Sequence, residues 1–515
     1  MPVVTFALAS IVTGLVLLPP VYLVVRAGSE GSGIWDTLTE TSTVDAFFRT
    51  VLLTLTVTGT SIVLAVPLAW LTARTDLPLA RTWTVLLALP LAIPSFVGGF
   101  VVISALGPGG LMQDLLEPLG VERLPSIYGF KGAWSVLTLL SYPYVYLQVS
   151  AALDRTDRTL EEAARSLGKG AWQTFVHVSL PQLRPAIAAG AILVALYALS
   201  EFGAVSMLRY DTLTPLIYIE YTTRFDRSSA AILGLPLIVL ATLFVTIESV
   251  TRGSARYHAR GPRRAPRKLT LGRWRWPAFF FCAVVAAFGV GIPVAVVMYW
   301  LVEGFRTGAE TGFLLDALVN TAKVSGIAAI AAVAAALPIA MLSVRHRGWL
   351  SGLFEKAAYT GQALPAITIA LALVFFAANY MTRFYQTLGL LVVAYTVRFL
   401  PEALGATRNA LLQVNPNSEE AAQSLGVGRV RTFLRVTAPQ MLPGLSTGML
   451  LVFLTAVKEL PITLLLSPIG FETLATDIWA STSEAFFTRA ALPSLILLCL
   501  SGVAVLLMLR REQLS

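Results

Sequence analysis

The chain has 515 residues, 56% of them hydrophobic and only 13% charged, a formal net charge of +9 and a mean hydropathy of +0.73. That balance excludes an ordinary soluble globular domain and indicates a multispanning membrane protein. Two cysteines, Cys282 and Cys499, both in apolar runs, leave no disulfide framework or thiolate cluster, and three scattered histidines (His177, His258, His346) give no metal-binding spacing.

The first 25 residues carry no charge and no basic leader segment, so they read as a retained membrane span. Apolar stretches long enough to cross a hydrocarbon core of about 30 Å fall near 3–25, 50–72, 83–106, 133–153, 186–207, 229–250, 277–302, 319–343, 357–379, 387–408, 443–466 and 490–509. The expected fold is therefore an all-α polytopic membrane protein of about twelve transmembrane helices. Lys and Arg concentrate in every second loop, which puts both termini on the cytoplasmic side. Between the sixth and seventh spans, Arg252 to Arg275 holds nine basic residues, no acidic one, Pro262 and Pro266. This segment reads as a cytoplasmic linker facing anionic lipid headgroups, not as a nucleic-acid site.

The chain is internally duplicated. At a shift of 258, the thirty positions from Glu161 to Gly190 contain fifteen identities with Glu419 to Gly448. Thr50 to Arg74 matches Thr321 to Arg345 at 271, Leu89-Pro90 matches Leu364-Pro365 at 275, and Glu201 matches Glu459 at 258. The expected domains are a first six-helix half (1–251), the linker (252–276) and a second six-helix half (277–515). Two halves with even span numbers share an orientation, which predicts a pseudo-two-fold along the membrane normal.

Each copy of the strongest repeat reads as a polar elbow, 159–181 and 417–439. Thr159 with Glu162, and Asn417 with Glu420, have capping-box spacing. Gly168 and Gly426 suit left-handed C-terminal caps, and Pro181 and Pro439 are expected to stop the second short helix.

In the first elbow Glu162-Ala163-Ala164, Gly168, Val178 and Leu180-Pro181, and in the second Glu420-Ala421-Ala422, Gly426, Val436 and Ala438-Pro439, resemble the cytoplasmic signature of permease subunits of binding-protein-dependent ABC importers. Val stands for Ile in both copies and Ala for Leu in the second. The resemblance implies an ABC importer permease fold of two parallel six-helix repeats. It also implies coupling helices seated on two cytoplasmic ATP-binding subunits, with Glu161, Glu162, Ala163, Ala164, Gly168, Pro181, Glu419, Glu420, Ala421, Ala422, Gly426 and Pro439 as coupling residues. An extracytoplasmic substrate-binding protein would deliver the cargo. Trp172, Phe175 and Val176 leave open an alternative, in which the elbows are amphipathic helices lying on the inner leaflet.

No G-x-x-x-x-G-K-[ST] phosphate loop occurs, and the longest hydrophilic segment is too short for an ATPase domain. The chain is thus expected to be no enzyme and to bind no cofactor or metal itself, with ATP used by partner subunits. Ser200-Glu201-Phe202-Gly203 and Lys458-Glu459-Leu460-Pro461, with the segment Gly470 to Thr476, resemble the ferric-iron branch of the family, whose relatives carry thiamine, polyamines or sulfate. Glu201 and Glu459, at matched depth in the membrane, are candidates either for a cation path or for capping backbone freed by Gly203 and Pro461. Arg398 and Glu402, four apart, are expected to pair on one helix. An ion-gradient-driven secondary transporter of parallel-repeat build is the distant alternative, and it gives the elbows no purpose.

Overall fold

The computed structural model describes residues 3–29, 31, 33–120, 123–155, 159–224, 227–252, 269–308, 312, 314–346 and 348–514. Most of the basic linker, with His258, lies outside them. The described chain is all helix apart from turns and one isolated parallel β-bridge, Thr75 to Leu269.

Among the described residues ten helices are long and apolar enough to cross a membrane, or eleven spans if the bent pair Trp349–Gly361 and Ala366–Tyr380 counts as one. Of the twelve expected spans, the sixth falls on the Arg227–Arg252 helix, within which Ser228–Phe244 ranks only as a shorter apolar helix. Twelve is therefore an upper reading of the sequence. Ten uninterrupted spans and one bent pair are what length and composition support.

The helices gather into two compact units, and neither is a contiguous half of the sequence. One comprises Met1–Thr43, Leu216–Ile238 and Glu310–Glu484; the other Val44–Pro215, Val239–Ala309 and Ala485–Ser515. In the first unit the N-terminal Val3–Gly28 helix packs on helices from late in the chain. Phe6 meets Phe354 edge-on at 5.3 Å, Tyr22 meets Phe376 at 5.7 Å, and Asn379 Nδ2 donates to the Tyr22 hydroxyl at 3.4 Å. In the second unit the helices opening the later repeat return the exchange: Phe279 meets Trp83 edge-on at 5.1 Å and Trp300 meets Phe487 at a tilt at 5.2 Å. Hydropathy marks such segments as spans without saying which neighbours they cover.

Within each unit the duplicated helices make the same contacts. Thr50 Oγ1 donates to Ala46 O and accepts the amide of Leu213, which opens the Leu213–Thr222 helix, at 3.0 Å. Thr321 Oγ1 likewise donates to Ala317 O and accepts from Leu474 N, at the start of Leu474–Ser483, at 2.8 Å. Small residues let long helices approach closely. A Cβ on Gly190 would lie 2.6 Å from Val145 Cα, and one on the matched Gly448 2.9 Å from Ala406 Cβ.

One register is corrected. Pro94 and Pro365 are the N-caps of Ser95–Leu106 and Ala366–Tyr380, with nearly the same backbone angles (φ −60°, ψ 144° and φ −57°, ψ 141°). Pro365 therefore answers to Pro94, at the same shift of 271 as the preceding helix, and Pro90 instead takes the second position of a 3-10 turn, Leu89–Ala92. A residue before proline avoids the α region, which makes each break.

Candidate functional site: two elbows and their anchors

The elbow helices are Thr159–Ser166 and Pro416–Ser424. Both end in the glycine cap read from sequence: φ is +85° at Gly168 and +83° at Gly426. Lys169 N bonds Ala164 O and Gly168 N bonds Arg165 O, at 3.1 and 3.0 Å; Val427 N and Gly426 N reach Ala422 O and Gln423 O at the same distances. This paired closure satisfies the last carbonyls of a helix and needs a residue without a Cβ penalty at its corner.

The N-cap of the second elbow differs from expectation. The second helix starts two residues earlier, with Asn415 Oδ1 accepting from Asn417 N at 3.0 Å and Pro416 at the first helical position. Asn417 lies inside the helix. A proline there lacks a donor that would be orphaned anyway, so Asn415-Pro416 outcompetes Asn417 as a start signal. The Thr159 side chain lies outside the described residues.

Pro181 and Pro439 do not stop the helix. The chain runs through them as one helix, Trp172–Ser200 in the first copy and Arg429–Ala456 in the second. A π turn precedes each proline: Leu180 N bonds Phe175 O across Phe175–Ser179, and Ala438 N bonds Phe433 O across Phe433–Thr437. A third π turn, Ala287–Gly291, likewise stands two residues before Pro293. Widening the turn by one residue makes room where the proline ring would strike a carbonyl, so the helix continues past a residue that breaks the ordinary ladder.

The π turns also aim a hydroxyl at the elbow. Ser179 Oγ donates to Glu161 Oε1 and Thr437 Oγ1 to Glu419 Oε1, both at 2.9 Å. The same carboxylate oxygens take an arginine from the cytoplasmic end of a long helix: Arg74 Nη2 stands 3.7 Å from Glu161 Oε1, and Arg345 Nη2 3.2 Å from Glu419 Oε1. Arg74 and Arg345 close the helices Thr41–Arg74 and Leu314–Arg345. Sequence reasoning did not single them out, although both sit at the end of the matched segments Thr50 to Arg74 and Thr321 to Arg345.

The paired glutamates thus divide. Glu161 and Glu419 turn inward, while Glu162 and Glu420 are exposed beside Ala163 and Ala421. Ala164 is buried and Ala422 half-buried. An apolar edge flanks the exposed acids: Leu167 is 82% and Leu425 84% exposed, and Trp172 and Val430, at matched positions, are exposed too. Phe175 packs between Trp70 and Trp172, at 5.6 and 5.8 Å, which seats the first elbow on the Thr41–Arg74 helix.

Deeper in the apolar helices, the matched carboxylates do the same backbone work. Glu201 Oε1 accepts from Ala204 N at 3.0 Å and Glu459 Oε1 from Ile462 N at 3.3 Å, each capping the short helix that follows. Thr214 donates to the Glu201 carbonyl, and Thr463 to that of Glu459 at 2.9 Å. Arg398 Nη1 donates to Leu364 O at 2.9 Å and Gly361 O at 3.3 Å, the carbonyls freed at the Pro365 break. Glu402 accepts from Thr455 Oγ1 at 3.0 Å.

A duplicated, all-helical, multispanning chain with two matched elbows defines a transport subunit of a membrane. The chain belongs to the family of binding-protein-dependent transport system inner membrane components, whose model matches residues 61–251 and 328–512. It is 35% identical over 506 residues to "Fe(3+)-transport system permease protein FbpB 2" of Haemophilus influenzae, covering 95% of each chain. It is 25% identical over 395 residues to "Ferric transport system permease protein FbpB" of Actinobacillus pleuropneumoniae, with 72% of this chain and 57% of that one covered. It is also 30% identical over 241 residues to "Sulfate transport system permease protein CysW" of Escherichia coli (strain K12), over 45% of this chain and 81% of the relative.

Proposed function

We propose that the chain is the membrane permease of an ATP-driven importer of ferric iron, with both of its repeats serving that role. Two cytoplasmic ATP-binding subunits would each hold one elbow, and one extracytoplasmic binding protein would deliver the cargo, with both termini cytoplasmic. The observation that carries this reading is the doubled elbow. Each presents an exposed glutamate (Glu162, Glu420) and an exposed leucine (Leu167, Leu425) on a segment whose inner glutamate is anchored to its own helices. A helix resting on the inner leaflet requires neither the anchored acid nor the left-handed glycine, and both recur. Hydrolysis belongs to the partner subunits, since the chain has no phosphate loop.

Support for ferric iron comes from the similarity to the Haemophilus influenzae permease along nearly the whole chain. A second reading keeps the architecture and changes the cargo to an oxyanion such as sulfate; the similarity to the sulfate permease favours it, over less than half the chain. Thiamine and polyamine are further cargoes for the same build. Within this proposal Glu201, buried, and Glu459, half-buried, serve the cargo's path as well as capping backbone, since carboxylate oxygens are hard donors suited to a highly charged cation. The test is uptake by proteoliposomes holding the chain, its ATP-binding subunit and its binding protein. ATP-dependent accumulation of radiolabelled ferric ion supports iron, and accumulation of sulfate alone replaces it with the oxyanion.

A further inference from the structure

We propose that Arg74 and Arg345 are positioning residues for energy coupling: each joins its elbow rigidly to the end of a long helix, so that displacement of the elbow moves that helix. The proposal rests on the reading of the elbows as docking points for ATP-binding subunits. An elbow held outside by a partner can move a membrane helix only if its inner side does not give way. The glycine corners at Gly168 and Gly426 are where a bare elbow would yield.

What bridges that corner is a three-centre contact made twice. One carboxylate oxygen of the inner glutamate takes a guanidinium and a hydroxyl together: Arg74 and Ser179 on Glu161, Arg345 and Thr437 on Glu419. The three groups belong to three pieces of chain: the end of a helix of 34 or 32 residues, the elbow itself, and the π turn leading into the next helix. The arginines match at a shift of 271 and the glutamates at 258, so the contact is kept across a change in the length of chain between them. Arg74 is 2% exposed. A charge in such a place is well fixed, because moving either partner away leaves the other buried without compensation. Arg345 also donates to Val414 O at 3.1 Å, just before the cap of its elbow, holding the entry as well as the inner face.

The first anchor has an additional restraint. Leu269 N donates to Arg74 O at 2.9 Å, Asp76 N to Leu269 O at 3.0 Å, and Leu271 N to Asp76 Oδ1 at 2.8 Å. The end of the interdomain linker is therefore fastened to the residue that holds Glu161.

The experiment uses the full complex in proteoliposomes, with Arg345→Gln, Glu419→Gln and the reversed pair Arg345→Glu with Glu419→Arg. Two quantities are read: the amount of ATP-binding subunit that co-purifies, and the stimulation of ATP hydrolysis by the ferric-loaded binding protein. The single variants should keep co-purification within about twofold and lose stimulation by about tenfold or more, and the reversed pair should recover at least half of it. Where a single variant does not accumulate, Arg345→Lys and Thr437→Val replace it, with reduced stimulation at unchanged co-purification as the expected result. Stimulation within twofold of the unmodified complex overturns the proposal. So does a loss that only follows lost ATP-binding subunit and is not recovered by reversal, which is what a pair serving stability alone would give. If the unmodified chain itself brings down no ATP-binding subunit, the docking reading fails and takes this proposal with it.

Discussion

Replacing both elbow glycines by valine, Gly168→Val with Gly426→Val, separates a mechanical joint from a packing site. A Cβ at either position would meet nothing within 4 Å, so no steric clash with a neighbour contributes. The cost is conformational: φ of +85° and +83° would force a side-chain-bearing residue into the left-handed region, at about 1–2 kcal/mol each. Set against a typical stability of roughly 5–15 kcal/mol, the chain stays folded and inserted. At each elbow, however, about 1.4 kcal/mol lowers the ratio of native to alternative corner roughly tenfold, and two independent elbows lower the combined ratio about a hundredfold. Co-purification of the ATP-binding subunit should therefore collapse while the melting temperature in detergent falls by only a few degrees. Retained co-purification and transport in the double variant would refute the argument that the left-handed corner sets the docking geometry.

Gly190→Leu or Gly448→Leu should behave in the opposite way, because the added atoms meet Val145 or Ala406 inside a helix pair. Overpacking of about 1–3 kcal/mol or more should show as lost membrane yield and a lower melting temperature, with any surviving protein still binding its ATP-binding subunit. Thr321→Val removes the acceptor of the Leu474 amide at nearly constant shape. It should cost about 1–3 kcal/mol, read as a fall in melting temperature that Thr321→Ser largely restores. Neutralising Glu201 and Glu459 together to Gln keeps an acceptor for the Ala204 and Ile462 amides and removes two charges. Ferric uptake well below that of either single variant at an unchanged melting temperature supports the path role, and normal uptake leaves the pair as caps. The purified chain alone should show no ATP binding in equilibrium dialysis, and stoichiometric binding would contradict its assignment as a pure permease.

The elbows were legible because the chain states them twice, and because a glycine followed by a change of direction has a local cause, the left-handed cap at Gly168 and Gly426. Local rules failed where the helix had a wider option: a proline is read as a stop, and only the π turns before Pro181 and Pro439 reveal that the ladder can expand and go on. Asn417 with Glu420 has the spacing of a capping box, but Asn415-Pro416, two residues earlier, is the stronger start signal and sets the helix end. Arg74 and Arg345 were present in the matched segments, but their partners lie 87 and 74 positions away in sequence (161 − 74 and 419 − 345), and no spacing rule reaches that far. The exchange of terminal helices between compact units was illegible for a related reason. An apolar span is written in the same alphabet whichever neighbour it covers.

Under the proposed function, this permease is driven through its elbows by ATP hydrolysed on separate subunits. The most direct measurement is ferric uptake into proteoliposomes containing the chain and its binding protein, with and without the ATP-binding subunit, under either ATP or an imposed proton or sodium gradient. Uptake is expected only when ATP and the ATP-binding subunit are both present. Uptake driven by an ion gradient, with no ATP-binding subunit in the vesicles, would contradict that function.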